Sequence, residues 1–188
     1  VLAFAMALSM VSFAAYSDVE AGADCEEAVT VLSALEILTG YEDGSFKPEG
    51  DITRAEFCAV VCRALGAKVA GSAVTGFSDV AADHWASGYI NLASQQGIVN
   101  GKGNGIFDPE GNVTYAEAVK MLVVALGYEP MAAQKGGYPT GYLVVANTYG
   151  LTEGVKAPAD AAAANRGIVA QLTYNALDIP MMEQTGFG

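Results

Sequence analysis

Residues 44–56 read GSFKPEGDITRAE, and residues 105–117 read GIFDPEGNVTYAE. The two stretches are 61 positions apart, and that spacing holds without a gap from 77 to 128. Tyr16-Ser17-Asp18-Val19 returns as Phe77-Ser78-Asp79-Val80, and Ile37-Leu38-Thr39-Gly40 returns as Ile98-Val99-Asn100-Gly101. About 18 of the 52 aligned positions are identical, against roughly one in fifteen expected by chance from composition. A more divergent copy follows. Gly150-Leu151-Thr152-Glu153-Gly154 matches Gly97 to Gly101, and Asn165-Arg166-Gly167-Ile168 takes the place of Thr114 to Glu117. The chain therefore divides into unit one (16–70), unit two (77–130) and a divergent unit three (131–184). Such units rarely bury their apolar faces alone and stack on their neighbours.

Each unit reads as helix, loop, helix. The second helix is written most clearly. Phe57, Val60, Val61, Ala64 and Leu65 recur at i, i+3, i+4, i+7 and i+8; so do Ala118, Met121, Leu122, Ala125 and Leu126, and Val169, Leu172, Thr173, Ala176 and Leu177. This is one apolar stripe on an α-helix. Thr53 with Glu56, and Thr114 with Glu117, have capping-box spacing. Unit three keeps a cap at Asn165 but has Ile168 where the box needs a carboxylate. Gly66 and Gly127 stand where a left-handed residue ends the helix. The first helix is marked by Ala28, Val31, Leu32 and Leu35 in unit one. In unit two the marks are Trp85, Tyr89, Ile90 and Ala93, and in unit three Leu143, Ala146 and Tyr149. Asp18 and Asp79 can cap that helix or a short turn. Asp43-Gly44, Asn104-Gly105, Pro48 and Pro109 are turn residues.

Composition narrows the function. The net charge is −12 with no Lys/Arg stripe, which argues against nucleic acid and fits an extracellular module. Residues 1–15 are apolar except for Ser9 and Ser12 and too short to span a bilayer. They resemble the core of a secretory leader lacking its charged start; a buried helix is the alternative. No other segment is apolar for long enough to span a membrane, so the mature chain is expected to lack a span. One histidine and three cysteines without metal spacing make structural zinc improbable. Cys25 can pair with Cys58 or Cys62 in an exported protein, or all three can be buried thiols, the reading favoured by Ala and Val in the other units. An EF-hand starting at Asp43 lacks ligands at several positions. Glu49 and Asp51 as a glycosidase pair have nothing that sets them across a cleft. His84 lacks the context of a catalytic triad. No cofactor is expected.

Arg54 and Arg166 follow the N-cap directly, where a guanidinium faces the positive helix end. Either an anionic ligand gains from Arg, backbone N–H groups and dipole together, or the Arg pairs with a nearby carboxylate. Unit two has Tyr115 there.

Phe77-Ser78-Asp79-Val80, His84-Trp85-Ala86, Ile90, Gly97-Ile98-Val99-Asn100-Gly101 and Phe107-Asp108-Pro109, with Asp43-Gly44-Ser45-Phe46-Lys47-Pro48 and Thr53-Arg54-Ala55-Glu56, resemble the S-layer homology module. The likeness covers residues 16–180. It implies a mainly α fold of three helix-loop-helix repeats, in a pseudo-threefold arrangement with a central helical bundle. It implies non-covalent attachment, without catalysis, of an exported bacterial protein to the cell wall. The expected partner is an anionic, typically pyruvylated, secondary cell-wall polysaccharide tethered to peptidoglycan and held in grooves between modules. Carried over position by position, the ligand-binding residues would be Arg54, Gly40, Gly101, Trp85, Asp18 and Asp79, with Arg166 from the altered motif Asn-Arg-Gly-Ile. Asp24 stands where unit two has Trp85, and Tyr138 lies near that place in unit three. Two further roles remain open: anchoring part of a larger surface enzyme such as a polysaccharide hydrolase, or self-association in a surface layer.

Overall fold

The computed structural model describes residues 16–69 and 71–182. The leader expected over 1–15 lies outside them. Seven helices carry the described chain: α1 (Glu26–Ala34), α2 (Arg54–Ala64), α3 (Ser87–Gln95), α4 (Tyr115–Ala125), α5 (Glu129–Gln134), α6 (Thr140–Thr148) and α7 (Arg166–Asp178). The mainly α reading holds. Extended structure among the described residues amounts to isolated bridges.

The second helices α2, α4 and α7 pack on one another as the central bundle. Their burial is wider than the single stripe. Ala55, Phe57, Cys58, Ala59, Val60, Val61 and Cys62 are all buried on α2, and Ala118, Val119, Met121, Leu122 and Val123 on α4. A helix covered on several sides needs small or apolar residues nearly all round, and the many Ala and Val positions supply them. The helices start as the caps predict. Thr53 Oγ1 accepts from Glu56 N and Thr114 Oγ1 from Glu117 N, with both reciprocal bonds in place; Asn165 Oδ1 accepts from Ile168 N. Gly66 and Gly127 follow the helix ends at φ 68° and 84°.

The first helices behave differently from a hairpin. Each packs on the long helix of the preceding unit: α3 on α2, α6 on α4 as well as on α5, and α1 on α7, which closes the circle. This neighbour decides which face is covered. On α1 the buried residues are Ala28, Val29 and Leu32, whereas Leu35 caps the helix and is exposed. Trp85 precedes α3 and is 52% exposed. On α6, Tyr142, Val145 and Ala146 face inward and Tyr149 does not. The predicted marks Ala28, Leu32, Ile90, Ala93 and Ala146 are buried, whereas Leu35, Trp85 and Tyr149 fall outside the covered face. Helix α5 was not anticipated; Pro130 sits in its first turn, where a missing N–H costs nothing.

The seams are closed by backbone. Arg54 N donates to Gly111 O at 2.9 Å and Ala55 N to Pro109 O at 3.0 Å. Tyr115 N donates to Ala162 O at 2.9 Å and Ala116 N to Asp160 O at 3.0 Å. Arg166 N donates to Gly50 O and Gly167 N to Pro48 O, both at 2.8 Å. In every unit the first two amides of the long helix, which no helix can satisfy internally, bond to the loop of the next unit. The third unit bonds to the first. Cys25, Cys58 and Cys62 are free thiols.

Candidate functional site

The loops that receive these helix starts are held from behind by a carboxylate. Asp18 accepts from Phe46 N and Lys47 N, both at 2.7 Å; Asp79 accepts from Phe107 N at 2.9 Å and Asp108 N at 2.7 Å. The Phe46 amide above all holds Asp18 below the usual carboxylate range. Burial pushes Asp79 up, but the Phe107 and Asp108 amides outweigh it and the net shift is downward. Lys47 and Asp108 adopt φ of 59° and 63° at the turn so formed.

Gly40 and Gly101 lie under the aromatic that opens each unit. A Cβ on Gly40 would sit 2.2 Å from Tyr16 Cε1 and 2.5 Å from Ser45 O; one on Gly101 would sit 2.5 Å from Ile106 O and 2.7 Å from Phe77 Cε1. Both glycines are therefore set by close packing, and Gly101 also lines a cleft.

Arg54 reaches across the seam into unit two. It is 5% exposed. Its Nε donates to Phe107 O at 2.9 Å, its Nη2 to Asn100 O at 3.1 Å, and its Nη1 lies 3.0 Å from Glu117 Oε1. Burial drives Glu117 up, yet the Thr114 amide, Arg54 and Lys102 bring it below its ordinary value. A cleft of about 170 Å³ opens here between Arg54, Asn100, Gly101, Glu117, Lys120 and Tyr138. With the Asn100 amide turned to accept, Lys120 Nζ bonds its oxygen at 2.7 Å.

Arg166 repeats the reach from unit three into unit one. Its Nε donates to Phe46 O and its Nη2 to Thr39 O, both at 2.8 Å, and its guanidinium lies over the rings of Phe46 and Tyr41. Glu56, the counterpart of Glu117, makes no ion pair with it among the described residues. A cleft of about 210 Å³ is lined here by Thr39, Tyr41, Glu56, Arg63, Trp85 and Arg166, among others. Trp85 comes from unit two, so all three units build this cleft, as all three build the first. His84 stacks on Trp85 with centroids 5.9 Å apart, accepts from Ala86 N and faces Glu110.

The third seam is built otherwise. Tyr115 fills the Arg position and is buried. A third cleft, about 540 Å³ and lined by units one and three, holds Asp24 in the place of Trp85, paired with Lys156, and Glu49, Ile168 and Gln171; Tyr115 does not line it.

The structure thus brings Arg166 together with Trp85, and Arg54 with Gly101. Asp18, Asp79 and Gly40 act behind the loops. An anion cannot use the helix starts as expected, because their first amides bond to loop carbonyls and the third to the cap. Sequence reasoning missed Lys120 and Arg63 as cleft cations. Arg63 lies seven residues after Glu56, on the same helix face, and that spacing was a usable signal.

No helix among the described residues is long and apolar enough to cross a membrane. The family model described as S-layer homology domain matches residues 15–58 and 76–119. A middle cell wall protein of Brevibacillus brevis is 38% identical over 100% of this chain and 18% of its own length. A cell surface protein of Thermoanaerobacter kivui is 36% identical over 95% of this chain and 23% of its own. A cellulosome-anchoring protein of Acetivibrio thermocellus is 40% identical over 43% of this chain and 19% of its own. The chain spans about a fifth of the length of these curated relatives.

Proposed function

The chain belongs to the S-layer homology domain family and acts at the bacterial cell surface; from that premise we propose that it anchors an exported protein to the cell wall, without catalysis, by holding an anionic wall polysaccharide in the clefts between its units. The observation that carries this reading is the Arg166 cleft. In a chain of net charge −12, two guanidiniums and a half-exposed tryptophan converge there from three units. A planar guanidinium takes a carboxylate through paired hydrogen bonds. The indole offers an apolar face to the C–H face of a sugar ring. The cleft is open and shallow, which suits a polymer passing through it better than an enclosed small molecule. A pyruvate ketal on the polysaccharide is the acid we assign to Arg166, and to Arg54 in the neighbouring cleft.

The test uses wall sacculi of Brevibacillus brevis, native and after mild acid removal of ketal groups. The chain co-sediments with native sacculi and loses most of that binding after acid. Trp85→Ala weakens it without lowering Tm. Equal binding before and after acid would remove the ketal from the reading; no binding to native sacculi would remove the anchoring role.

A further inference from the structure

The geometry points to a second anion-binding position in the Arg166 cleft, made by Arg63 in the last turn of α2 and separate from the one made by Arg166. This rests on the proposed binding of an acidic polysaccharide and adds the spacing of its charges: a segment with two acidic groups on separate sugar units.

The two arginine clefts share a plan but differ in their second cation. In the Arg54 cleft the floor helix is α4, with Lys120 at its sixth position and Val124 at its tenth. In the Arg166 cleft the floor helix is α2, with Ala59 at the sixth position and Arg63 at the tenth. The cation has moved by four residues, about one helical turn or 5–6 Å. Ala59 is buried and carries no cation where Lys120 stands in the other cleft. Arg166, Arg63 and Trp85 all line the one cleft, so a polymer segment can meet both guanidiniums with the indole on its flank.

Both cations remain available. Arg166 is 4% exposed and spends Nε and Nη2 on carbonyls. Its Nη1 has no protein partner among the described residues, yet it is not among the sealed atoms without partners; it therefore meets the cleft. Arg63 is half-buried, lies over the Tyr89 ring at 5.3 Å and gives Nε to Tyr89 Oη at a long 3.4 Å. Stacking of this kind fixes the guanidinium plane and leaves both terminal nitrogens for a ligand. In the Arg54 cleft, by contrast, Glu117 neutralises the arginine and Asn100 engages Lys120.

The test is calorimetric titration of the chain with acidic wall polysaccharide of Brevibacillus brevis, cut into size-defined fragments. Wild type binds fragments that carry two acidic groups at least tenfold more tightly than fragments that carry one, as expected for one added charge-assisted contact. Arg63→Gln abolishes that step, so that one-acid and two-acid fragments bind it alike, and keeps the wild-type Tm. An unchanged step in Arg63→Gln overturns the second position and leaves the proposed function standing. Absence of any binding by wild type overturns both.

Discussion

Replacing Arg54 by Met tests whether this arginine holds the seam. The side chain keeps most of its length and apolar stem but loses the guanidinium. Two carbonyls, Phe107 O and Asn100 O, lose their donors, and Glu117 loses its 3.0 Å partner. Removing one member of a buried ion pair typically costs 3–5 kcal/mol. Here Lys102 stands 3.5 Å from Glu117 and the Thr114 amide still bonds it, and the cleft admits water to Asn100 O. The lower end, about 3 kcal/mol, is therefore expected, or a Tm lower by about 6–12 °C for a chain of this size. Thermal and urea melts of wild type, Arg54→Met, Glu117→Gln and the double variant form the assay. The double variant should lose less than the sum of the singles by about 1–2 kcal/mol, because Glu117 is no longer left with an unmet charge. A loss below 1 kcal/mol in Arg54→Met, or strict additivity, would refute the seam role. A fall in wall binding by an Arg54 variant then reports a weakened cleft as well as a lost contact, which makes Trp85 and Arg63 the cleaner probes.

Thr173 is fully buried in the bundle, its hydroxyl has no partner among the described residues, and its counterparts are Val61 and Leu122. Thr173→Val should stabilise by about 1–2 kcal/mol, read as a higher urea midpoint; a destabilised variant would mean the hydroxyl is bonded. The Asp18 and Asp79 clasps have folded-state pKa values below their ordinary ones, so their contribution is complete above about pH 4 and disappears as pH falls through the lowered values. The Tm gap between wild type and the Asp18→Asn, Asp79→Asn double variant should stay constant from pH 8 to pH 5 and close below about pH 4; a gap that narrows near neutrality would contradict the clasp.

What could be read in the chain was what is local in it. Thr53 and Glu56 are three residues apart, and their box depends on nothing else. The glycine stops and the long-helix stripes are of the same kind. The repeat itself is a property of the string. What escaped was set by neighbours distant in sequence. Arg166 finds Thr39 across 127 positions, and no window along the chain contains both. The stripe on α1 held at Ala28 and Leu32 but not at Leu35, because its cover comes from α7 rather than from α2. Trp85 was counted as a helix position because its spacing to Tyr89 and Ile90 fits a helix, although the helix begins only after Ala86. Asp18 and Asp79 stood open between capping a helix or short turn and, through the family resemblance, meeting a ligand, because a carboxylate in a motif is ambiguous until its donors are known. The amides of Phe46 and Phe107, 28 residues on, are those donors.

The closing of the ring by main chain explains how the clefts came to differ. Each seam rests on two amides of a helix start and two carbonyls of a loop, and these bonds need no particular side chain. Unit three has lost the capping carboxylate, the Phe-x-Asp-Val string and two loop residues, yet Arg166 N and Gly167 N reach Gly50 and Pro48 as their counterparts do. Residues on the floor helix and at the Trp85 place were therefore free to vary, and the first helical position, where Arg54 adds side-chain bonds to its own seam, holds Tyr115 in unit two. They have become Arg with Lys120 and Tyr138 in one cleft, Arg with Arg63 and Trp85 in another, and Gln171 with the Asp24–Lys156 pair in the third. A fold whose integrity rests on backbone can change its ligand chemistry one cleft at a time. The first two clefts, each with a pair of cations and an exposed aromatic, suit acidic polymer. The third carries Asp24 and Glu49 against Lys156, and an incoming carboxylate would meet repulsion there before it met a partner.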